Sequence, residues 1–240
     1  MFLLVGTVAA LTACTSASRS LYSAVSERWS HPEVDTASLP ADRAFLRMDL
    51  GKATFILPRG AVERTAVTSA TGESGTQETE VWYSGSGEVV RTTNGRITGT
   101  DGIRRADWRG VWLDGAPTWQ QALQQTQPIT YGRTRDLMPS HLYGLQERLT
   151  LTPIAERDTR VSGYAPGQLR WFREDTQTLA RVPESSASLV RLPAALYAVD
   201  PATATVVYSE QCLSRDICLR LQRLGPQDPP SPNQIAHAGD

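Results

Sequence analysis

Three cysteines carry the clearest chemistry in this chain. Cys212 and Cys218 bracket five residues, and a hairpin that turns at Ser214-Arg215-Asp216 would place them opposite each other. Paired cysteines of an exported protein usually form disulfides, because the compartment is oxidising. A redox-active pair normally has a tighter spacing than this one. We therefore predict a structural disulfide between Cys212 and Cys218.

The third cysteine, Cys14, follows an uncharged and mostly apolar run, residues 1–13. That run is too short to span a bilayer as a helix, which needs about 20 residues, and fits the apolar region of a secretory signal. Leu11-Thr12-Ala13-Cys14 matches the bacterial lipobox. The resemblance implies cleavage before Cys14 and lipid attachment to it. Thr15 is not aspartate, which by resemblance to Gram-negative lipoproteins favours sorting to the outer membrane, with the domain facing the periplasm.

The other residue types that commonly bind metals or act in catalysis do not occur here in the spacings that those functions need. His31, His141 and His237 have no cysteine or carboxylate partners at metal-ligand spacing. The chain contains no Gly-x-Ser-x-Gly, P-loop or Gly-x-Gly-x-x-Gly motif. We therefore predict no catalytic residue, no metal site and no cofactor. A glycosidase pair of carboxylates stays an alternative, because its two members need only be near in space.

One short region concentrates aromatic rings and positive charge, with Trp108, Trp112 and Trp119 near Arg104, Arg105 and Arg109. Exposed rings there would stack on sugars, and the arginines would meet acidic sugars through bidentate contacts. The other interpretation is that the rings fill the core at a crossover between two β layers. These six residues are the candidate contacts for a glycan or a protein partner. If the rings are buried, glycan contact must occur elsewhere or not at all, and binding of a protein partner becomes the better interpretation.

Composition limits the class of protein. The 24 basic and 25 acidic residues give a net charge of −1, which argues against a dedicated nucleic-acid surface. The 18 glycines, 15 prolines and scarcity of long helical patterns indicate an all-β class. No second apolar segment approaches membrane-spanning length.

An antiparallel meander is predicted for residues 81–103. Asn94-Gly95 is the strongest short hairpin signal, because both central residues of a type I′ turn need a positive φ. Gly85-Ser86-Gly87 marks another reversal. Three strands therefore follow one another in this stretch.

Further elements are indicated along the chain. Thr118 to Gln125 predicts a short helix with Thr118 as its cap. Strands are predicted for residues 145–154, 160–164 and 168–173, the last two flanking a turn at Ala165-Pro166-Gly167. In the first of these, Leu145, Glu147, Leu149 and Leu151 alternate with polar neighbours.

Four segments divide the chain. Residues 1–13 form the signal peptide, and 14–38 form a lipidated tether with a short helix over residues 19–29. A β domain follows over residues 39–224. Residues 225–240 are Pro-rich and polar, which predicts a disordered tail.

Five short motifs of the β domain resemble the YjbF/GfcB family of group 4 capsule polysaccharide lipoproteins: Trp82-Tyr83-Ser84, Asn94-Gly95-Arg96-Ile97, Thr100-Asp101-Gly102-Ile103, Leu196-Tyr197-Ala198-Val199-Asp200 and Val207-Tyr208-Ser209-Glu210-Gln211. The resemblance covers residues 39–224 and follows a lipobox. It implies an all-β, barrel-like domain on an outer-membrane lipoprotein. It also implies a non-catalytic accessory role in capsule or exopolysaccharide assembly or export. The implied partners are the membrane, through the lipid anchor, and polysaccharide or the proteins that export it.

Two other classes of function stay open. One is a periplasmic polysaccharide-modifying enzyme, which convergent carboxylates beside a deep cleft would favour. The other is a structural envelope lipoprotein, which a flat apolar patch without a cleft would favour.

Overall fold

The computed structural model of the protein describes residues 39–225, apart from residues 41, 69–73, 104–105, 180–181 and 183. The predicted signal peptide, Cys14, the tether helix and the tail from residue 226 lie outside the described residues, as do Arg104 and Arg105. The strands are β1 Phe45–Leu50, β2 Ala53–Thr68, β3 Ser74–Tyr83, β4 Val89–Thr93, β5 Arg96–Asp101, β6 Asp107–Asp114, β7 Ile129–Met138, β8 Leu142–Ile154, β9 Arg170–Thr178, β10 Ala195–Asp200, β11 Thr205–Ser214 and β12 Ile217–Leu224. Two short helices, α1 (Trp119–Gln124) and α2 (Ala187–Val190), complete the described elements, with a 3-10 turn over Glu184–Ser186.

The strands form one nearly closed, barrel-shaped antiparallel sheet, so the predicted all-β, barrel-like fold is confirmed. Each strand pairs with its neighbours in the chain except between β5 and β6, and β1 also pairs with β12. In that pairing Phe45 lies opposite Leu224 and Leu50 opposite Leu219. The first and last strands therefore pair with each other inside the sheet, and the strands at its two ends are β5 and β6.

The ladder breaks between β5 and β6, the two strands at the ends of the sheet order. Side chains bridge this seam. Asp107 accepts hydrogen bonds from the Thr100 hydroxyl (3.1 Å) and the Ile103 backbone N–H (3.0 Å). The Trp108 backbone N–H donates to the Thr100 hydroxyl (3.0 Å). Backbone groups that lack a strand partner are thus satisfied by a hydroxyl and a carboxylate.

Local turn chemistry explains the central meander. Asn94 (φ 50°) and Gly95 (φ 74°) join β4 to β5, and Gly87 (φ 99°) lies in the turn from β3 to β4. These are the backbone conformations that Asn-Gly and Gly-rich turns supply at low cost. The predicted three-strand meander is therefore confirmed.

A helical segment packs at each end of the barrel. Successive connections of a meander alternate between the two ends, so the β6–β7 and β9–β10 connections lie at opposite ends. The first contains α1, which buries Trp119 and Ala122 in the barrel core. The second contains α2, whose Val190 packs in a core cluster that includes Leu213. The interior is therefore a filled core.

One predicted strand was wrong, and the predicted short helix was right. Residues 160–164 form no strand, since residues 155–169 make a long loop between β8 and β9. The predicted short helix lies between β6 and β7. The helix itself is confirmed: Thr118 caps α1 through a reciprocal pair of bonds with Gln121 (3.1 and 2.9 Å).

Candidate functional site

The six predicted contact residues do not form one surface. Trp108 and Trp119 are buried in the core, whereas Trp112 is 58% exposed. Arg109 lies on the surface and pairs with Asp101 (3.0 Å). Arg104 and Arg105 lie outside the described residues. The core interpretation therefore holds for two of the three rings, and only Trp112 is free to stack on a ligand.

A β-bulge explains why Trp108 and Trp112 face opposite ways. Residues four apart on a regular strand share one face of the sheet. The register between β6 and β7 shifts between Trp108 and Gly110, and a bulge of this kind reverses the alternation of side chains. Trp108 therefore points into the barrel and donates its indole N–H to the Leu213 carbonyl (3.0 Å). Trp112 lies outside, with its ring over Gly110.

The predicted disulfide is confirmed. Cys212 and Cys218 lie opposite each other in the β11–β12 hairpin, with their Cα atoms 3.9 Å apart and their sulfurs bonded. The bond joins the two arms of a tight hairpin, so it is a structural cross-link.

Sequence reasoning missed a charged network inside the barrel. Glu147 on β8 accepts hydrogen bonds from Arg133 Nε (2.6 Å), Arg135 Nε (2.8 Å) and Arg135 Nη2 (2.5 Å). The two guanidinium groups also lie against the Trp108 ring, at 5.0 and 4.5 Å from its centroid. Glu147 and Arg135 are fully buried. A signal existed: Glu147 occupies an apolar position between Leu145 and Leu149.

This first network carries one more positive than negative charge. Burial, and next the neighbouring Arg133, lower the pKa of Arg135 to about 10, against the favourable effect of Glu147. Arg135 therefore stays protonated at neutral pH. Breaking a buried pair of this kind costs about 3–5 kcal/mol, because it leaves a charge without compensation.

A second network lies near α1. Arg96 Nε donates to the Tyr131 hydroxyl (3.0 Å), and its guanidinium stacks 4.1 Å from the Trp119 ring centroid. Tyr131 donates in turn to Glu174, which also lies 3.2 Å from the Tyr197 hydroxyl. Burial, and then the charge of Glu174, raise the pKa of both tyrosines. The ring hydroxyls therefore remain protonated donors to the carboxylate at neutral pH.

Gln211 extends the second network to the backbone. Its side-chain oxygen accepts from the Ile97 N–H (2.9 Å) and its amide N–H group donates to the Gly95 carbonyl (2.9 Å). The same amide donates to the Ser209 hydroxyl (2.8 Å). Because the groups of both networks are buried and bond one another, their geometry suits holding the barrel together. A ligand site is better sought on the outer surface.

A pocket of about 930 Å³ opens on the outer surface beneath the loop over residues 155–169. We call it the loop pocket. Its lining residues are Arg47, Glu156, Arg157, Asp158, Thr159, Arg160, Val161, Ser162, Tyr164, Ala165, Pro166, Leu169, Trp171 and Gln222. They come from β1, β9 and β12 and from the loop, so the loop that was predicted to be a strand instead builds the wall of a pocket.

Specific contacts hold the loop over the sheet. Gln222 on β12 donates to the Ser162 carbonyl (3.2 Å), and the Gly167 N–H donates to Glu156 (2.6 Å). Beneath the loop, Trp171 packs edge-on against Tyr208, with ring centroids 6.0 Å apart. The pocket is therefore built on a packed base.

Charge in the loop pocket favours an anionic ligand. The lining contains three arginines and two carboxylates, Glu156 and Asp158. Arg157 and Arg160 are exposed and form no ion pair with any described residue, while Arg47 lies 3.3 Å from Asp49. Glu156 is already engaged by the backbone of the loop. Two guanidinium groups of the lining are thus left available.

The described part of the chain offers no other kind of site among metal-binding clusters and membrane-spanning helices. No group of three or more His, Cys, Asp and Glu side chains is placed to hold a metal ion there. None of the helices formed by those residues has the length and apolar character needed to cross a membrane.

Comparison with known proteins identifies the fold alone. No protein-family model matches the chain. No curated protein matches it either. Among solved structures, the chain is similar to the crystal structure of the hypothetical lipoprotein YmcC from Escherichia coli K12, with a TM-score of 0.57 and 16% identity, over 90% of this chain and 100% of that one. At this identity the likeness shows that the barrel-shaped fold is shared with a hypothetical lipoprotein.

Proposed function

We propose that the protein is a lipid-anchored envelope protein of the outer membrane that faces the periplasm. We further propose a non-catalytic accessory role in the assembly or export of capsule or exopolysaccharide. The observation that carries the proposal is a lipobox, Leu11 to Cys14, placed ahead of a domain whose fold is that of a hypothetical lipoprotein. The polysaccharide role rests on the resemblance to the YjbF/GfcB family.

The positions of the family-like motifs support that resemblance. Motifs far apart in the chain meet inside the barrel, where Gln211 bonds the backbone of Gly95 and Ile97. Tyr197, from a third motif, lies 3.2 Å from the Gln211 side-chain oxygen. Short motifs that converge on one network behave as parts of a single structural unit.

A second candidate, a polysaccharide-modifying enzyme, is favoured by one observation: the loop pocket contains two carboxylates, Glu156 and Asp158. Glycoside hydrolysis uses such a pair. Against it, Glu156 is bonded to the backbone N–H of Gly167. Purified protein should release no reducing ends from polysaccharide; release that disappears in Glu156→Gln would make the protein an enzyme.

The anchor is tested by metabolic labelling with a radioactive fatty acid. Wild-type protein should carry label in the membrane fraction, and Cys14→Ser should carry none. Cys212→Ser/Cys218→Ser is the matched control, because it removes cysteines without touching the lipobox. Label retained by Cys14→Ser would overturn the anchor.

The accessory role is tested by deleting the gene. Surface or secreted polysaccharide should fall while the lipid-linked precursor is still made, and the wild-type gene should restore it. Normal polysaccharide in the deletion strain would overturn the role in export. Loss of the precursor itself would place the protein in synthesis instead.

A further inference from the structure

We propose that the loop pocket binds an acidic oligosaccharide, with Arg157 and Arg160 as the groups that recognise its carboxylates. The proposal rests on the proposed function and names the ligand class and the site through which it acts. It gives glycan contact a location outside the Trp108, Trp112 and Trp119 region.

The size of the pocket suits a chain of sugars. Ligand pockets for small molecules have volumes of roughly 300–1,000 Å³, and the loop pocket, at about 930 Å³, lies near the upper end of that range. It is open to solvent along the loop. A site of this size on the outer surface accommodates a short segment of a longer polymer.

The charge of the lining selects the ligand chemistry. A guanidinium group presents a planar fork of N–H donors that matches a carboxylate in a bidentate contact. Arg157 and Arg160 are three residues apart on the loop, and neither forms an ion pair with a described residue. The lining therefore offers two guanidinium groups without an ion pair, and the carboxylate of an acidic sugar would bind to them.

Part of the remaining lining suits hydroxyl-rich ligands, beside the apolar side chains of Val161 and Leu169. Thr159 and Ser162 add hydroxyl groups, Gln222 adds an amide, and Tyr164 adds an aromatic ring. Such groups donate to and accept from sugar hydroxyls. The chain as a whole carries a net charge of −1, so general attraction to polyanions is weak and local contacts must supply the affinity.

A buried donor adds to the polar character of the base. Trp171 lines the pocket and is 3% exposed, and its indole N–H has no acceptor among the described residues. A buried donor without an acceptor costs about 1–3 kcal/mol. Trp171 also provides a fluorescent reporter at the base of the site.

The test is isothermal titration calorimetry on the full-length lipoprotein purified in detergent. The acidic probe is tetragalacturonate, and maltotetraose is the neutral probe of equal length. We expect tetragalacturonate to bind, more weakly as salt rises, and maltotetraose to give no heat. Arg157→Gln/Arg160→Gln should weaken binding about tenfold or more, since two charge-assisted contacts are lost.

Arg148→Gln/Arg191→Gln is the matched control, because both arginines are exposed, lie outside the pocket and carry the same total charge. It should leave the affinity within about twofold and show that net charge is not the cause. Equal weakening by both double variants would overturn the site. Equal affinity of the wild-type protein for inorganic polyphosphate would overturn the glycan as the ligand.

The same variants separate this proposal from the proposed function. A deletion strain that loses polysaccharide and is fully complemented by Arg157→Gln/Arg160→Gln would overturn the loop pocket and leave the accessory role standing. A deletion strain with normal polysaccharide would overturn the accessory role, whatever the titration shows. Failure of complementation by this variant alone, with folding intact by circular dichroism, supports both.

Discussion

Gln211 and Gly95 are 116 residues apart in the chain, yet the Gln211 side-chain amide donates to the Gly95 carbonyl at 2.9 Å. The same side chain accepts from the Ile97 N–H on the far side of Arg96. One glutamine on β11 therefore fixes the start of β5 and, with it, the position of the buried Arg96 guanidinium.

Replacing Gln211 with Leu should lower the free energy of unfolding by about 2–4 kcal/mol, because the buried Ile97 N–H and the half-buried Gly95 carbonyl would both lose their partner. Urea denaturation measures the change. Gln177→Leu is the control, since Gln177 is exposed on β9, and it should change stability by less than about 0.5 kcal/mol. Equal effects of the two substitutions would contradict a structural role for Gln211.

Glu147→Gln should lower the free energy of unfolding by about 3–5 kcal/mol, because two buried arginines lose their shared carboxylate. Asp175→Asn, which removes the carboxylate from the exposed pair with Arg173, should cost at most about 1 kcal/mol. Denaturant unfolding of both variants compares the two sites. A loss below about 1 kcal/mol in Glu147→Gln would show that water reaches the network.

Stability should fall as the pH rises above about 10, which is the ordinary pKa of a tyrosine side chain. Burial, then Glu174, raise the pKa of Tyr131 and Tyr197, so above that pH the folded chain holds protons that the unfolded chain has lost. The contribution of these two tyrosines to the free energy of unfolding is complete below pH 10 and is lost as the pH rises. Arg135 makes the opposite contribution to the pH dependence of stability. Its pKa is lowered to about 10 in the folded chain, so above that pH the unfolded chain holds a proton that the folded chain has lost.

The measurement is urea unfolding at pH values from 8 to 11. Tyr131→Phe/Tyr197→Phe is expected to unfold more easily at every pH, but with a shallower alkaline decline. Tyr143→Phe, at a ring that is 64% exposed, should keep the wild-type slope. An unchanged slope in the double variant would show that other groups cause the decline.

The two tryptophans of β6 should respond differently to truncation. Trp108→Ala should cost about 3–5 kcal/mol, because a buried ring leaves a cavity and its indole bond to Leu213 is lost. Trp112→Ala should change stability by less than about 1 kcal/mol, because that ring is 58% exposed. Thermal unfolding of the two variants tests this, and comparable losses would contradict the bulge that separates them.

Features that depend on neighbouring residues were predictable from the sequence. Asn94-Gly95 specifies a hairpin because few residue pairs adopt two positive φ angles. The spacing of Cys212 and Cys218 specifies a disulfide once a hairpin lies between them. Thr118 specifies the start of α1 through a bond to Gln121, only three residues away.

Only one part of the buried charged network, the carboxylate of Glu147, was predictable from the sequence. The alternation of Leu145, Glu147, Leu149 and Leu151 places a carboxylate on the buried face of a strand, which demands a partner. That partner, Arg133 with Arg135, lies on the neighbouring strand, and nothing in the alternation of β8 identifies it.

Only the tertiary structure decided the closure of the ring, the bulge that turns Trp112 outward and the course of the 155–169 loop. The pairing of β1 with β12 joins residues at opposite ends of the domain, and its register depends on every strand between them. The loop pocket likewise combines Arg47 with Arg160 and Gln222. Short-range patterns encode turns, caps and alternation, because these depend on a few adjacent dihedral angles. A surface assembled from distant segments depends instead on how the whole sheet closes.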